Sequence, residues 1–101
     1  MHLLDKDIQE TMTEFFKALA HPNRLQILFL LRNKELSVTE ICEVMELEQS
    51  YISHQLKNLK NTNLINRYRD GKQMKYFLSD NHVIDLLDLT KAHLKEENCN
   101  E

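Results

Sequence analysis

The chain contains one glycine, one proline and two cysteines in 101 residues, and each scarcity excludes a class of structure. Sandwiches and barrels need many tight turns, so helices joined by short connections are expected instead. Cys42 and Cys99 lie far apart without CxxC spacing, which argues against a disulfide framework. No apolar run approaches the roughly 18 residues that a membrane span requires, so no membrane partner is expected. The N-terminus has neither the basic nor the apolar region of a secretory leader, and a cytoplasmic location is the matching expectation.

What remains is ordinary for one globular domain over residues 1–101: 42% hydrophobic and 29% charged. The net charge of −3 is a poor match to nucleic acid until it is divided along the chain. Residues 1–53 carry nine acids against five Lys or Arg, and residues 76–101 carry six acids against two bases. Between them, residues 54–75 hold one acid, Asp70, and six bases: Lys57, Lys60, Arg67, Arg69, Lys72 and Lys75. A basic middle between acidic ends is the pattern of a local phosphate-binding surface, though a solvated charged face would read the same way.

Apolar spacing sets the elements. Ile8, Met12, Phe15, Phe16 and Leu19 mark a first helix from about Asp5 to Ala20. His21-Pro22 interrupts it, because proline disfavours helical geometry in the residue before it. A second helix follows over Arg24 to Arg32, with Leu25, Ile27, Leu28, Leu30 and Leu31 expected in the core. Ser37-Val38-Thr39-Glu40 offers a capping side chain for a short third helix through Ile41, Val44 and Met45. A turn at Glu46 to Glu48 leads to a fourth helix from about Gln49 to Lys60, with Ser50 as its expected cap. Leu64 to Arg69 and Lys72 to Leu78 flank Asp70-Gly71, which predicts a hairpin closed by a type I′ turn. A last helix is expected from Asp80 to about Glu97. The order is that of a mainly α, α+β winged helix-turn-helix with a two-stranded wing and added helices at both ends.

In a helix-turn-helix the second helix enters the major groove. With Ile52, Leu56 and Leu59 facing inward, Gln49, Ser50, Ser53 and His54 are the outward residues near its N-terminus. Small hydroxyls and amides there suit base-edge and phosphate contacts. Lys57 and Lys60 follow where the helix would meet backbone phosphates, and Arg67, Arg69, Lys72 and Lys75 make the wing basic. Ser50 as a simple cap and His54 as a half-buried polar residue remain open alternatives. The partner implied is double-stranded DNA.

The last helix carries a second constellation. His82 and His93 are eleven residues apart, about 16 Å along one helix, too far to share an ion bound at about 2 Å. At about 100° per residue they nonetheless return to within about 20° of one face. Glu96 is a near neighbour of His93, and Asp80 precedes His82 by two. A second copy lying antiparallel would bring Asp80 and His82 of one chain to His93 and Glu96 of the other. That arrangement predicts a two-fold homodimer with two interfacial metal sites. Competing readings are an N-cap role for Asp80, polar interface roles for both histidines beside Leu86 and Leu89, and Glu97 or Asp85 as ligands instead.

The runs "FKALAHPNRLQILFLL" and "LSVTEICEVMELEQSYISHQLKNLKNTNLINRYRDGKQMKYFL" resemble the ArsR/SmtB family of bacterial metal-responsive repressors, over about residues 10 to 97. The resemblance implies a winged-helix homodimer on a palindromic operator, with DNA contacts at Gln49, Ser50, Ser53 and His54, and release of DNA on binding inducer. One branch of that family senses soft metals through an "ELCVC"-like motif. Here "ELSVTEI" places Ser37 and Thr39 at those positions, which argues against arsenite or soft-metal sensing there. Another branch uses Asp-x-His and His-x-x-Glu on the last helix, and Asp80, His82, His93 and Glu96 match it, similar to the zinc-responsive SmtB and CzrA type.

Two imidazoles and two carboxylates suit tetrahedral Zn(II), and Co(II) would also fit. Ni(II) prefers higher coordination and would need added ligands such as His2. The same repressor answering Ni or Co, or thiol oxidation through Cys42 or Cys99, is the alternative. A hydrolytic or metal-storing role is disfavoured, since His93-Leu94-Lys95-Glu96 is not HExxH and the four ligands leave no open position. No enzyme activity is expected.

Overall fold

The computed structural model describes the backbone of residues 1–99 and the side chains of residues 1–95. Its elements are α1 (Lys6–Leu19), α2 (Pro22–Asn33), β1 (Leu36–Ser37), α3 (Val38–Met45), α4 (Gln49–Asn61), β2 (Ile65–Asp70), β3 (Gln73–Leu78) and α5 (Asn81–Cys99). Pro22 opens α2, where its missing N–H costs nothing. Each expected helix is present, within a residue or two at its ends.

The core is built on α2 and α4. Ile27, Leu28 and Leu31 of α2 meet Ile41 of α3 and Ile52, Leu56 and Leu59 of α4, with Leu64, Ile65, Tyr76 and Leu78 closing the sheet side. Val83 and Leu87 bring α5 into this cluster, with Ile84 packed partly buried against it. Leu25, expected inside, is 39% exposed, and Leu30 is only partly buried. On α1, Ala18 is buried while Ile8, Met12 and Phe16 lie open to solvent. Phe15 and Leu19 of the same stripe pack partly against the core, so the core covers the stripe only in part.

The sheet is antiparallel in the order β1-β3-β2. Strand β1 was not expected, since two residues carry no alternation; it pairs Leu36 with Tyr76 and Ser37 with Lys75. The hairpin register sets Asp70 opposite Gln73, so the loop is Gly71-Lys72 rather than Asp70-Gly71. Gly71 alone of these residues has positive φ, 65°. That is the sign pattern of a type II′ turn, with glycine at the first central position, and it replaces the expected type I′.

Ser37 caps α3 through a reciprocal capping box. Its hydroxyl accepts from the Glu40 amide at 3.2 Å, and the Glu40 carboxylate accepts from the Ser37 amide at 2.9 Å. At α4 the expectation differs from the structure. The cap position is Glu48, with no side-chain bond, and Ser50 lies inside the first turn with its side chain exposed. The turn Glu46 to Glu48 is opened by Glu46 in the left-handed region, φ 56 and ψ 44.

Candidate nucleic-acid interface and metal centre

Helices α3 and α4, joined by three residues, form the helix-turn-helix. Gln49, Ser50, Ser53, His54, Lys57 and Lys60 are all exposed on α4, while Ile52, Leu56 and Leu59 of the same helix are buried. The outward set read from the sequence therefore lies on solvent as one polar and basic face. Arg67 and Arg69 of β2 and Lys72 of the turn are exposed as well. Arg67 additionally donates from Nη1 to the Tyr76 hydroxyl at 3.3 Å.

Lys75 does something different from the rest of the basic wing. Its Nζ donates to Glu40 Oε1 at 2.9 Å, tying β3 to the first turn of α3. That oxygen also receives the Ser37 amide. The Ser37 N–H bond and then the Lys75 ammonium hold the Glu40 carboxyl far below its ordinary range, at about 2. The hydrogen bond to Glu40 raises Lys75 in turn. The Lys75 charge thus braces the wing against the helix-turn-helix. A second brace runs from the Tyr68 hydroxyl to Glu35 Oε1 at 2.7 Å.

The reading helix is also tied to α2 by contacts that the sequence pattern did not disclose. Gln55 is a buried polar residue, 5% exposed, and its Oε1 accepts from Arg24 Nε at 2.7 Å. One turn earlier, Asn23 Nδ2 donates to the Tyr51 hydroxyl at 2.8 Å. The signal that could have found Gln55 is its place on the inward stripe of Ile52, Leu56 and Leu59, where an amide demands a polar partner.

At the start of α5, Asp80 Oδ1 accepts from the Val83 amide at 3.2 Å, an N-cap contact. The same oxygen lies 3.6 Å from His82 Nδ1. Two donors on one tetrahedral ion at about 2.0–2.1 Å stand roughly 3.3 Å apart, so this pair fits a shared ion with little adjustment. The oxygen at that spacing is the one that also caps α5. The His82 side chain is 96% exposed, and His93 is exposed as well. The Glu96 side chain, like those of Glu97 and Cys99, lies outside the described residues. Among the described residues no group of three or more His, Cys, Asp or Glu side chains could hold a metal ion. The structure brings Asp80 and His82 together and leaves His93 eleven residues along the same helix. Cys42 packs half-buried against the core from α3.

Among the described residues, part of α5 lies open to solvent. Leu89 is 70% exposed and Leu94 54%, and on α1 Ile8, Met12 and Phe16 are also open. Between these helices and α2 lies an apolar cavity of about 640 Å³, lined by Phe16, Leu25, Phe29, Leu86 and Leu94 among others. Arg32 near the C-terminus of α2 holds Asp88 of α5 by two parallel bonds, Nε to Oδ1 at 2.8 Å and Nη2 to Oδ2 at 2.7 Å. Arg32 lowers the Asp88 carboxyl, and Asp88 raises the guanidinium.

A helix-turn-helix with a polar outer face, a braced basic hairpin beside it and a further helix at each end define a winged-helix DNA-binding protein. The chain belongs to the family described as bacterial regulatory protein, arsR family, whose profile matches residues 21–67. It is 44% identical over 90 residues to the HTH-type transcriptional regulator NmtR of Mycobacterium tuberculosis, covering 89% of this chain and 75% of that protein. It is 37% identical over 94 residues to a transcriptional repressor SmtB homolog of Synechocystis, covering 93% and 71%. Among solved structures, the homodimeric winged helix-turn-helix domain of a possible ArsR-family regulator from Mycobacterium bovis superposes with a TM-score of 0.90. That match is 26% identical and covers 100% of this chain and 96% of the other. These relatives are transcriptional regulators, not enzymes.

Proposed function

We propose that the protein is a homodimeric, metal-responsive transcriptional repressor acting in the cytoplasm. In this reading the metal-free dimer binds a palindromic operator, and Zn(II) lowers its DNA affinity, derepressing genes of metal efflux or homeostasis. The observation that carries the reading is the state of α5. Its donor pair, Asp80 and His82, lies on solvent at ligand spacing, His93 is exposed, and Leu89 and Leu94 stand uncovered. A second copy would cover the leucines and complete the donor set. The open apolar residues of α1 extend the same demand.

Operator contact is assigned to Gln49, Ser50, Ser53 and His54 in the major groove and to Lys57, Lys60, Arg67, Arg69 and Lys72 on phosphates. Two reading helices of one dimer would meet successive major grooves about 34 Å apart. Metal ligation is assigned to Asp80 and His82 of one subunit with His93 and Glu96 of the other. Zn(II) held by these side chains would supply a link between the subunits. The residues of the chain do the rest. Asp80 caps α5 through the same oxygen that faces His82, and each imidazole would ligate through a ring nitrogen lone pair. The link favours the dimer arrangement in which the two α4 helices no longer fit the operator, and affinity falls by differential stabilisation.

The relatives named as NmtR and as an SmtB homolog support a regulatory role for this chain, and the donor set favours zinc. The test is an operator titration by fluorescence anisotropy with Zn, Co and Ni, using wild type and His93→Ala. Zinc is expected to weaken operator binding of wild type by at least about tenfold, with no effect on His93→Ala and equal affinity of the two metal-free proteins. Unchanged affinity of wild type in zinc would overturn the reading.

A further inference from the structure

Helix α2 holds the reading helix at one end and the sensing helix at the other. We propose that α2 is the strut coupling α4 to α5, with the Arg32–Asp88 ion pair as the positioning contact at its sensing end. The inference rests on the repressor reading but adds residues that touch neither DNA nor metal.

At the N-terminal end of α2, Arg24 and Asn23 bond Gln55 and Tyr51 of α4. Because Gln55 is buried, a tilt of α4 against α2 would strand its amide oxygen without a partner. In the middle, Ile27 and Leu28 are 0% exposed and Leu31 only 4%. A close-packed segment of that kind moves as a body and does not bend locally. At the C-terminal end the guanidinium of Arg32 grips both oxygens of Asp88. A fork of two parallel bonds fixes orientation as well as distance, which a single lysine contact would not do. Lys91 adds a second tie from α5, its ammonium 5.6 Å from the Phe29 ring centroid.

Asp88 and Lys91 sit between His82 and His93. Beyond Leu87, no side chain through Lys95 is buried, so the half of α5 that carries His93 is steered from outside the core. The ion pair is itself half exposed, at 37% and 43%, and such pairs contribute little to folding. Its removal should therefore leave the fold intact and take away the orientation.

Operator DNA is used as the first probe, because coupling between two sites is reciprocal and needs no metal to be seen. Hydrogen exchange of the α5 amides is measured in the free and operator-bound protein. Wild type is expected to show a change at residues 88–95 on DNA binding. Arg32→Gln is expected to lose most of that change while its operator affinity stays within about threefold. Arg24→Gln, acting at the other end of the strut, should lose it too. The swapped pair Arg32→Asp with Asp88→Arg should restore what Arg32→Asp alone abolishes.

An α5 response equal in wild type and Arg32→Gln overturns the strut, as does a swap no better than the single change. Zinc-induced operator release is then measured on the same proteins. If zinc releases wild type and Arg32→Gln alike, the strut falls and the metal reading stands. If the α5 response to DNA depends on Arg32 but zinc releases neither protein, the strut stands and the metal reading falls.

Discussion

The turn that sets the angle between α3 and α4 contains a residue in an unfavourable conformation, and the cost can be measured. Glu46 closes α3 with φ 56 and ψ 44. In that region an L-residue brings Cβ against the following carbonyl oxygen, at a cost of about 1–2 kcal/mol. Glycine avoids the clash but gives up about 0.5–1 kcal/mol through the greater freedom of its unfolded chain. Glu46 is exposed, so no packing is lost on removing its side chain. Its carboxylate also sits at the C-terminal end of α3, where the helix dipole favours cations, and removing it returns roughly 0.3 kcal/mol. The sum predicts that Glu46→Gly stabilises the protein by about 1 kcal/mol, a rise in Tm of roughly 4–8 °C for a chain near 100 residues.

Two controls separate strain from charge. Glu46→Ala removes the carboxylate but keeps the left-handed backbone, so its gain should stay near roughly 0.3 kcal/mol. Asn63 also has positive φ, 62°, but asparagine tolerates that region, so Asn63→Gly should be close to neutral. Thermal unfolding followed by circular dichroism at one fixed protomer concentration reads all three, since the Tm of a dimer depends on concentration. The reasoning fails if glycine at position 46 gains no more than alanine, or if glycine at position 63 gains as much as at position 46.

The Glu40 carboxyl, held at about 2 by the Ser37 amide and Lys75, gives stability that is present above its ordinary value and lost as pH falls from about 4.5 toward 2. Urea unfolding of wild type and Glu40→Gln across that range should show the variant less stable at neutral pH and the gap closing in acid; a gap constant with pH would refute the assignment. Phe16→Glu, which places a charge on the uncovered stripe of α1, should shift sedimentation from dimer to monomer with helix content unchanged. A Phe16→Glu protein that remains dimeric would exclude the α1 stripe from the subunit interface.

How much was readable in advance depended on whether the determining contact was local. The helices, the hairpin and a side-chain cap at the start of α3 follow from spacings of two to four residues, and the structure places them as expected. Ser50 was misread because capping chemistry marks a residue type, whereas the cap position of α4 falls two residues earlier, at Glu48. The turn at Gly71 was misread because Asp-Gly signals a hairpin without fixing its register, which cross-strand pairs such as Arg69 with Met74 decide. Leu25, Ile8, Met12 and Phe16 show a different limit. Periodicity identifies an apolar face but says nothing about which body covers it, and here the covering body is not this chain's own core.

The candidate site divides along the same line. One helix is enough to put His82 and His93 on a common face, and two neighbouring residues are enough to place Asp80 beside His82. The contacts that would make the site useful span far more chain: Arg24 to Gln55 crosses 31 residues and Arg32 to Asp88 crosses 56. Periodicity can flag Gln55 as an inward amide but does not name Arg24 as its partner, and Arg32 and Asp88 are each an unremarkable polar residue on their own helix. A sensor needs both kinds of information. Its ligands can be set by local spacing, but the path by which a ligand alters a distant surface must cross the fold, and it therefore becomes visible only when the helices are placed against one another.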